Sequence, residues 1–182
     1  MTTTMFDIAE LLEEYDRARA YTDDLWQDLT DEEVSWRPRP ESSAIGWHLG
    51  HQASVAHFMV RNLVAAEASP DPGLEPVMDS ATAETDRGDL PARAAIAGYR
   101  AAVAERVHAR LGDIDRGRVG APHQLRVVGQ HLLVALINHE YQHDQWIGEM
   151  RSGELGHALP PRPVSARLSE LDGYTVVMTP SG

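Results

Sequence analysis

The chain has 182 residues, 42% of them apolar, enough for one domain to bury a core without disulfides or a structural metal. It holds no cysteine and no lysine, which excludes thiolate ligands, a protein-borne thiol nucleophile, a Schiff-base lysine and a phosphate-loop lysine; all sixteen basic residues are arginines. A formal charge of −12 without an arginine cluster argues against a nucleic-acid partner, and the acidic Asp7–Glu14 start without an apolar run of roughly 18 residues predicts a cytoplasmic chain with no membrane span.

Residues 5–29 place Ile8, Leu11, Leu12, Tyr15, Ala18, Thr22, Leu25, Trp26 and Leu29 at helical intervals, with Thr4 as N-cap and Asp7 three residues on. Thr30-Asp31-Glu32-Glu33 repeats the capping pattern and predicts a short helical turn that Pro38 and Pro40 end. Ser42 or Ser43 then caps a second long helix, Ala44 to Ala66, marked by the apolar positions Ile45, Leu49, Val55, Phe58, Val60, Leu63 and Val64. Gly46 and Gly50 lie one turn apart in it, each costing about 1 kcal/mol against alanine, and a close backbone approach would account for them.

The Pro-, Asp- and Gly-rich stretch from Glu67 to Gly88 predicts a crossover loop. Asp89 before Leu90-Pro91 starts a third helix, carried by Ala94, Ala95, Ala97, Tyr99, Ala102, Val103, Val107 and Leu111 to a stop at Gly112. The fourth runs from about Leu125 to Ser152, with Leu132, Leu133, Leu136, Ile137, Tyr141 and Ile147 inside and Gly153 as terminator. The tail, with Pro160, Pro161 and Pro163, is irregular, and Tyr174–Met178 fits either a short strand or a packed extension. The expectation is an all-α four-helix bundle over residues 1–152, its long crossover between helices two and three, and an extension over residues 153–182 that packs on or trails from it.

His139 and His143 stand four residues apart on the fourth helix, so both imidazoles lie on one face where a single ion can take a nitrogen from each. Trp47-His48-Leu49-Gly50-His51 opens the second helix and offers a third ligand. His57, His108, His123 and His157 are taken as core or boundary histidines, and His131 lies about 12 Å of helix rise before His139, too far to share an ion. Trp47 and Trp146 each sit a turn from a proposed ligand and, with His48, are candidates to wall a substrate pocket; Glu140 and Asp144 are candidates to orient imidazoles.

Three stretches together resemble the DinB-like, or YfiT-like, metal-binding superfamily: the Leu29–Pro38 turn (Leu-Thr-Asp-Glu-Glu…Trp-Arg-Pro), Ser43–His51 (Ser-Ala-Ile-Gly-Trp-His-Leu-Gly-His) and His139–Asp144 (His-Glu-Tyr-Gln-His-Asp) with Met150-Arg151 after it. The resemblance spans roughly residues 5–152. It implies a three-histidine metal site at His51, His139 and His143, with His48 one turn before the usual ligand position, and a homodimer. Zinc, nickel and iron(II) all suit three imidazoles, and such a set leaves a coordination position open.

The resemblance also implies a function. Relatives include S-transferases that use mycothiol, bacillithiol or glutathione, and thiol-dependent isomerases, so the expectation is a metal-dependent transferase that joins a low-molecular-weight thiol to a small electrophile. Mycothiol is the first candidate, because an Arg-only, Ala-rich chain suits a high-GC source. The alternatives are a metal-dependent hydrolase that activates water at the same site and a non-catalytic, metal-binding stress-response bundle. No catalytic side chain is assigned. His139–His143 also satisfies the H-E-x-x-H pattern of zinc peptidases, in which Glu140 would be the general base. Trp146 occupies the position of the metzincin glycine and the only downstream histidine, His157, lies in a Gly/Pro-rich tail, so that reading is set aside.

Overall fold

The computed structural model describes residues 6–178. Helix α1 spans Ile8–Trp26, and its N-cap is Asp7, whose N–H donates to Glu10 Oε2 at 3.0 Å. Thr4, the expected cap, lies outside the described residues. The short α2 (Asp31–Ser35) closes as its sequence predicts: the Glu33 N–H donates to Thr30 Oγ1 at 3.2 Å while the Thr30 N–H donates to Glu33 Oε2 at 2.8 Å.

Helix α3 runs Ile45–Val60, shorter than the expected Ala44–Ala66. Its N-cap is Ala44 rather than a serine. Ser43 instead accepts from Arg87 Nη1 at 3.0 Å and donates to Glu84 Oε1 at 3.1 Å, so the crossover has taken the hydroxyl the helix would have used. Of the apolar residues in the pattern, Phe58 and Val64 are exposed. Twelve of the sixteen α3 residues are buried, which makes it the central helix, wrapped on nearly all sides.

The crossover is not structureless. It contains α4 (Glu75–Met78) and a 3-10 turn at Glu84–Asp86, and Met78 is fully buried against α3. Helix α5 (Arg93–Asp115) starts from Ala92, not Asp89, and continues through Gly112. The residue that ends it is Gly117, whose φ of +68° closes the C-terminus in the left-handed region. Helix α6 (Pro122–Glu149) begins with proline in its first turn, ahead of the expected Leu125. A π-helical turn, Met150–Glu154, extends it past Gly153, and the left-handed Gly156 (φ +75°) is where the chain turns away.

Helix α1 packs against α6 and α3 against α5, with α3 and α6 in contact across the centre, giving the four-helix bundle. In the tail, Tyr174–Val177 is a strand: β1 (Leu168–Leu171) and β2 (Tyr174–Val177) form an antiparallel hairpin around Asp172 and Gly173, both at positive φ. The hairpin lies on α6, where the Val177 N–H donates to Asn138 Oδ1 at 2.7 Å, and Arg167 ties it to Glu10 and Glu14 of α1. Among the described residues, no helix is long and apolar enough to cross a membrane.

Both α3 glycines have neighbours packed close against them. A Cβ at Gly46 would stand 3.0 Å from Val34 Cγ1, and one at Gly50 would stand 2.4–2.9 Å from three side-chain atoms of Met78. Gly50→Ala gains about 1 kcal/mol of helix propensity but overpacks a fully buried methionine at about 1–3 kcal/mol, so a net loss is expected. Thermal unfolding of the metal-free protein should show a lowered midpoint for Gly50→Ala; an unchanged or raised midpoint would mean that Met78 yields freely.

Candidate metal centre

Helices α3 and α6 meet at their histidines. His51, His139 and His143 each present a ring nitrogen within 4.8 Å of the others, a span that imidazole rotations can close on one ion. Ring centroids stand 5.0 Å apart for His51 and His143, 5.4 Å for His51 and His139, and 4.5 Å for His139 and His143. His51 and His143 are buried and His139 is half-buried. The donor set fits a divalent ion: three imidazoles, no cysteine, and protonation held off by the surroundings.

Each imidazole is disfavoured as a cation. His139 is pushed down to about 4, first by burial and then by His51. His48 is pushed down to about 3 by burial, then by His51 and Arg87. His143 lies well below the usual histidine range through burial and its three histidine neighbours. His51 is lowered by burial, partly offset by its bond to Met78. Neutral imidazole is the form that coordinates.

The surroundings set the ring orientations. His51 Nδ1 lies 2.7 Å from the Met78 carbonyl, so it carries the proton and leaves Nε2 for a ligand. The Trp47 indole stacks on His51 at 4.5 Å and 11°, donates its N–H to the Val77 carbonyl at 3.0 Å, and carries the Arg87 guanidinium 3.9 Å from its ring centroid. His48 Nδ1 lies 2.8 Å from His143 Nδ1, so one of these nitrogens donates to the other, and Trp146 meets His143 edge-on at 4.9 Å. His48 is thus placed behind His143, beside the three-histidine cluster.

Glu140 and Asp144 do not orient imidazoles. Each follows a histidine by one residue, about 100° round the helix, which turns it into the bundle interior. The Thr22 hydroxyl lies 2.8 Å from Asp144 Oδ1 and 3.1 Å from Glu140 Oε2, Gln52 Nε2 donates to Asp144 Oδ1 at 3.1 Å, and Arg100 Nη2 stands 3.7 Å from Glu140 Oε2. Burial, then the neighbouring Glu140, raises Asp144 well above the usual carboxylate range. A glutamate engaged with Thr22 and Arg100 is not a water-activating base, which removes the peptidase reading from the H-E-x-x-H pattern.

The other histidines are dispersed. His108 pairs with Asp16 at 2.7 Å, His157 with Glu33 at 2.6 Å, His131 bonds the Val127 carbonyl at 2.8 Å on the surface, and His123 is exposed. Sequence reasoning missed Met78, Arg87, Gln52 and Arg100. Arg100 carried a signal, since it falls on the apolar stripe between Ile96 and Val103; the crossover residues gave none beyond three large apolar side chains, Leu74, Val77 and Met78, in a polar stretch.

Open space reaches the cluster from two sides, through a cavity of about 600 Å³ at His51 and one of about 490 Å³ at His139 beneath the hairpin; a third cavity, of about 320 Å³, lies at His48 and Trp146.

Alanine at His51, His139 or His143 should lower metal occupancy sharply, His48→Ala should lower it less, and Glu140→Gln should leave it intact, as read by elemental analysis of the folded variants. A metal-free His48→Ala beside a fully loaded His51→Ala would overturn the ligand set. The pH dependence follows from the lowered histidines: below the unfolded value of about 6.5 the unfolded chain takes up protons that the folded chain refuses, so stability is lost as pH falls. His48, His51, His57, His139 and His143 all act in this sense between about pH 6.5 and 5, and the raised Asp144 opposes them. The unfolding midpoint of metal-free protein should drop across that window, with a smaller drop for His139→Ala; a flat profile would contradict the burial of neutral imidazoles.

No curated protein matches this chain in a sequence comparison. The family model described as the DinB superfamily matches residues 14–147, which takes in the bundle from α1 to the last turn of α6 and all three histidines. The chain belongs to the DinB superfamily.

Proposed function

We propose that the protein is a metal-dependent S-transferase that joins a low-molecular-weight thiol, mycothiol first among the candidates, to a small electrophile. The observation that carries this reading is the three-imidazole cluster with cavities opening on two of its members, in a chain without a cysteine of its own. A divalent ion held by His51, His139 and His143, most simply zinc, supplies Lewis acidity that lowers the pKa of an incoming thiol.

The remaining work falls to the chain. Met78 fixes the tautomer of His51 through its carbonyl, and Trp47 clamps the same ring flat. His48 holds His143, and Trp146 covers its edge. Burial of these groups excludes water from the faces of the imidazoles and keeps them unprotonated. In the transfer a carbon–sulfur bond forms, the electrophile's leaving group departs with its electron pair, and the thiol proton passes to solvent. The reading implies a cytoplasmic setting, where such thiols are kept reduced.

The test is activity with monochlorobimane or a chlorodinitrobenzene. Turnover should require both metal and thiol, prefer one biological thiol over simple thiols, and collapse in His143→Ala. Cobalt-substituted protein should change its visible absorption on titration with the preferred thiol. A full metal site with no rate above background for mycothiol, bacillithiol or glutathione would sink the transferase and leave the hydrolase or the non-catalytic bundle.

A further inference from the structure

The largest of the three cavities extends from His51 along α3 beneath the crossover, and its wall is built for more than access. His57 lines it while being only 1% exposed. Arg106 Nη1 lies 2.9 Å from His57 Nδ1, and a guanidinium can only donate, so Nδ1 accepts and the ring proton sits on Nε2. That Nε2 has no hydrogen-bond partner among the described residues; Glu75 Oε1 is 3.4 Å away without making a bond to it. A buried donor left unmade costs about 1–3 kcal/mol. His57 is therefore an unsatisfied, buried donor among the side chains that line the cavity, not the satisfied core histidine that its sequence context suggests.

The chemistry around it narrows the occupant. Ser54, one turn past His51, adds a hydroxyl; Glu75 and Asp79 add acceptors from the crossover; Arg61 lies 4.7 Å from the Phe58 ring centroid, and both side chains line the same cavity. Two carboxylates against one arginine disfavour an anionic ligand, and an apolar one would strand the polar groups. Hydroxyls, each able to donate and accept, satisfy such a wall, and Phe58 offers an apolar face to the carbons of a ring.

We propose that this cavity seats the hydroxyl-rich, sugar-like part of the thiol co-substrate, with His57 Nε2–H donating to one of its oxygens. The proposal rests on the transferase reading for the identity of the ligand. His57 is six residues beyond His51, about 9 Å of helix rise, so the recognised hydroxyls lie farther from the triad than a simple thiol extends. The wall's net negative charge also selects against glutathione in favour of an uncharged polyol thiol.

The experiment is calorimetric titration with S-methylated mycothiol, whose capped sulfur removes the thiol from the binding, against metal-loaded and metal-stripped protein, with S-methylated glutathione as the anionic comparison. S-methylated mycothiol should bind both forms with Kd values within about threefold, and S-methylated glutathione should bind neither. His57→Leu and Ser54→Leu should weaken binding about tenfold, the worth of one hydrogen bond, while His57→Gln, which restores a donor near the Nε2 position, should stay within about threefold of wild type. Ser54 is only half-buried, so Ser54→Leu decides the matter if His57→Leu does not fold. Binding of free mycothiol but not of the capped form, or equal binding by wild type and both leucine variants, overturns the cavity assignment and leaves the transferase standing. Capped-thiol binding with the expected variant pattern but no turnover keeps the assignment and sinks the transferase.

Discussion

The structure depends on a polar junction beneath the histidines, where one buried arginine sets the register of the helices. Arg100 of α5 donates from Nη1 to the Leu49 carbonyl at 3.0 Å and to Gln52 Oε1 at 2.8 Å, and Gln52 of α3 in turn donates to the Glu140 carbonyl at 3.0 Å on α6. Thr22 adds α1 through its hydroxyl. All four long helices therefore contribute to one buried cluster. Sliding any of them by a residue would strand a charge in the interior, where breaking a buried pair costs about 3–5 kcal/mol. Apolar packing alone tolerates such slips far better. Because Gln52 follows His51, and Glu140 and Asp144 follow His139 and His143, the register that satisfies the junction is the register that brings the histidines together.

The crossover does for one histidine what the junction does for the helices. Its α4 turn delivers the Met78 carbonyl to His51 and the Val77 carbonyl to Trp47, and Arg87 farther along closes over the outer face of the indole. Gly50 is what lets Met78 approach so closely. A segment composed like a flexible loop thus supplies part of the ligand environment, and the short helix inside it is what fixes that environment in place.

Much of this was legible in the sequence for a physical reason: amphipathic periodicity and histidine spacing are local properties of a helix. The four helices, the Thr30 capping box and the facing histidines all follow from residues a turn or two apart. What was not legible depended on distant partners. Ser43 looked like a cap until Glu84 and Arg87 claimed its hydroxyl, and Gly112 looked like a stop although Gly117 is the residue that adopts the left-handed conformation. Phe58 fits the helical stripe but faces solvent, because the periodicity of a helix buried on nearly every side says little about which faces are covered. Glu140 and Asp144 lie beside the clustered histidines in sequence and a face away from them in space; only the position of Arg100 within an apolar stripe hinted that a buried counter-charge was waiting.

The chemistry proposed for the site turns on whether His51, His139 and His143 hold one ion. X-ray absorption spectroscopy on the zinc-loaded protein tests it most directly, because it counts the imidazoles. Three imidazole nitrogens at about 2.0–2.1 Å are expected, with the remaining coordination from light atoms supplied by solvent. Two imidazoles with a protein carboxylate, or no ordered zinc shell at all in protein whose fold is intact, would contradict it.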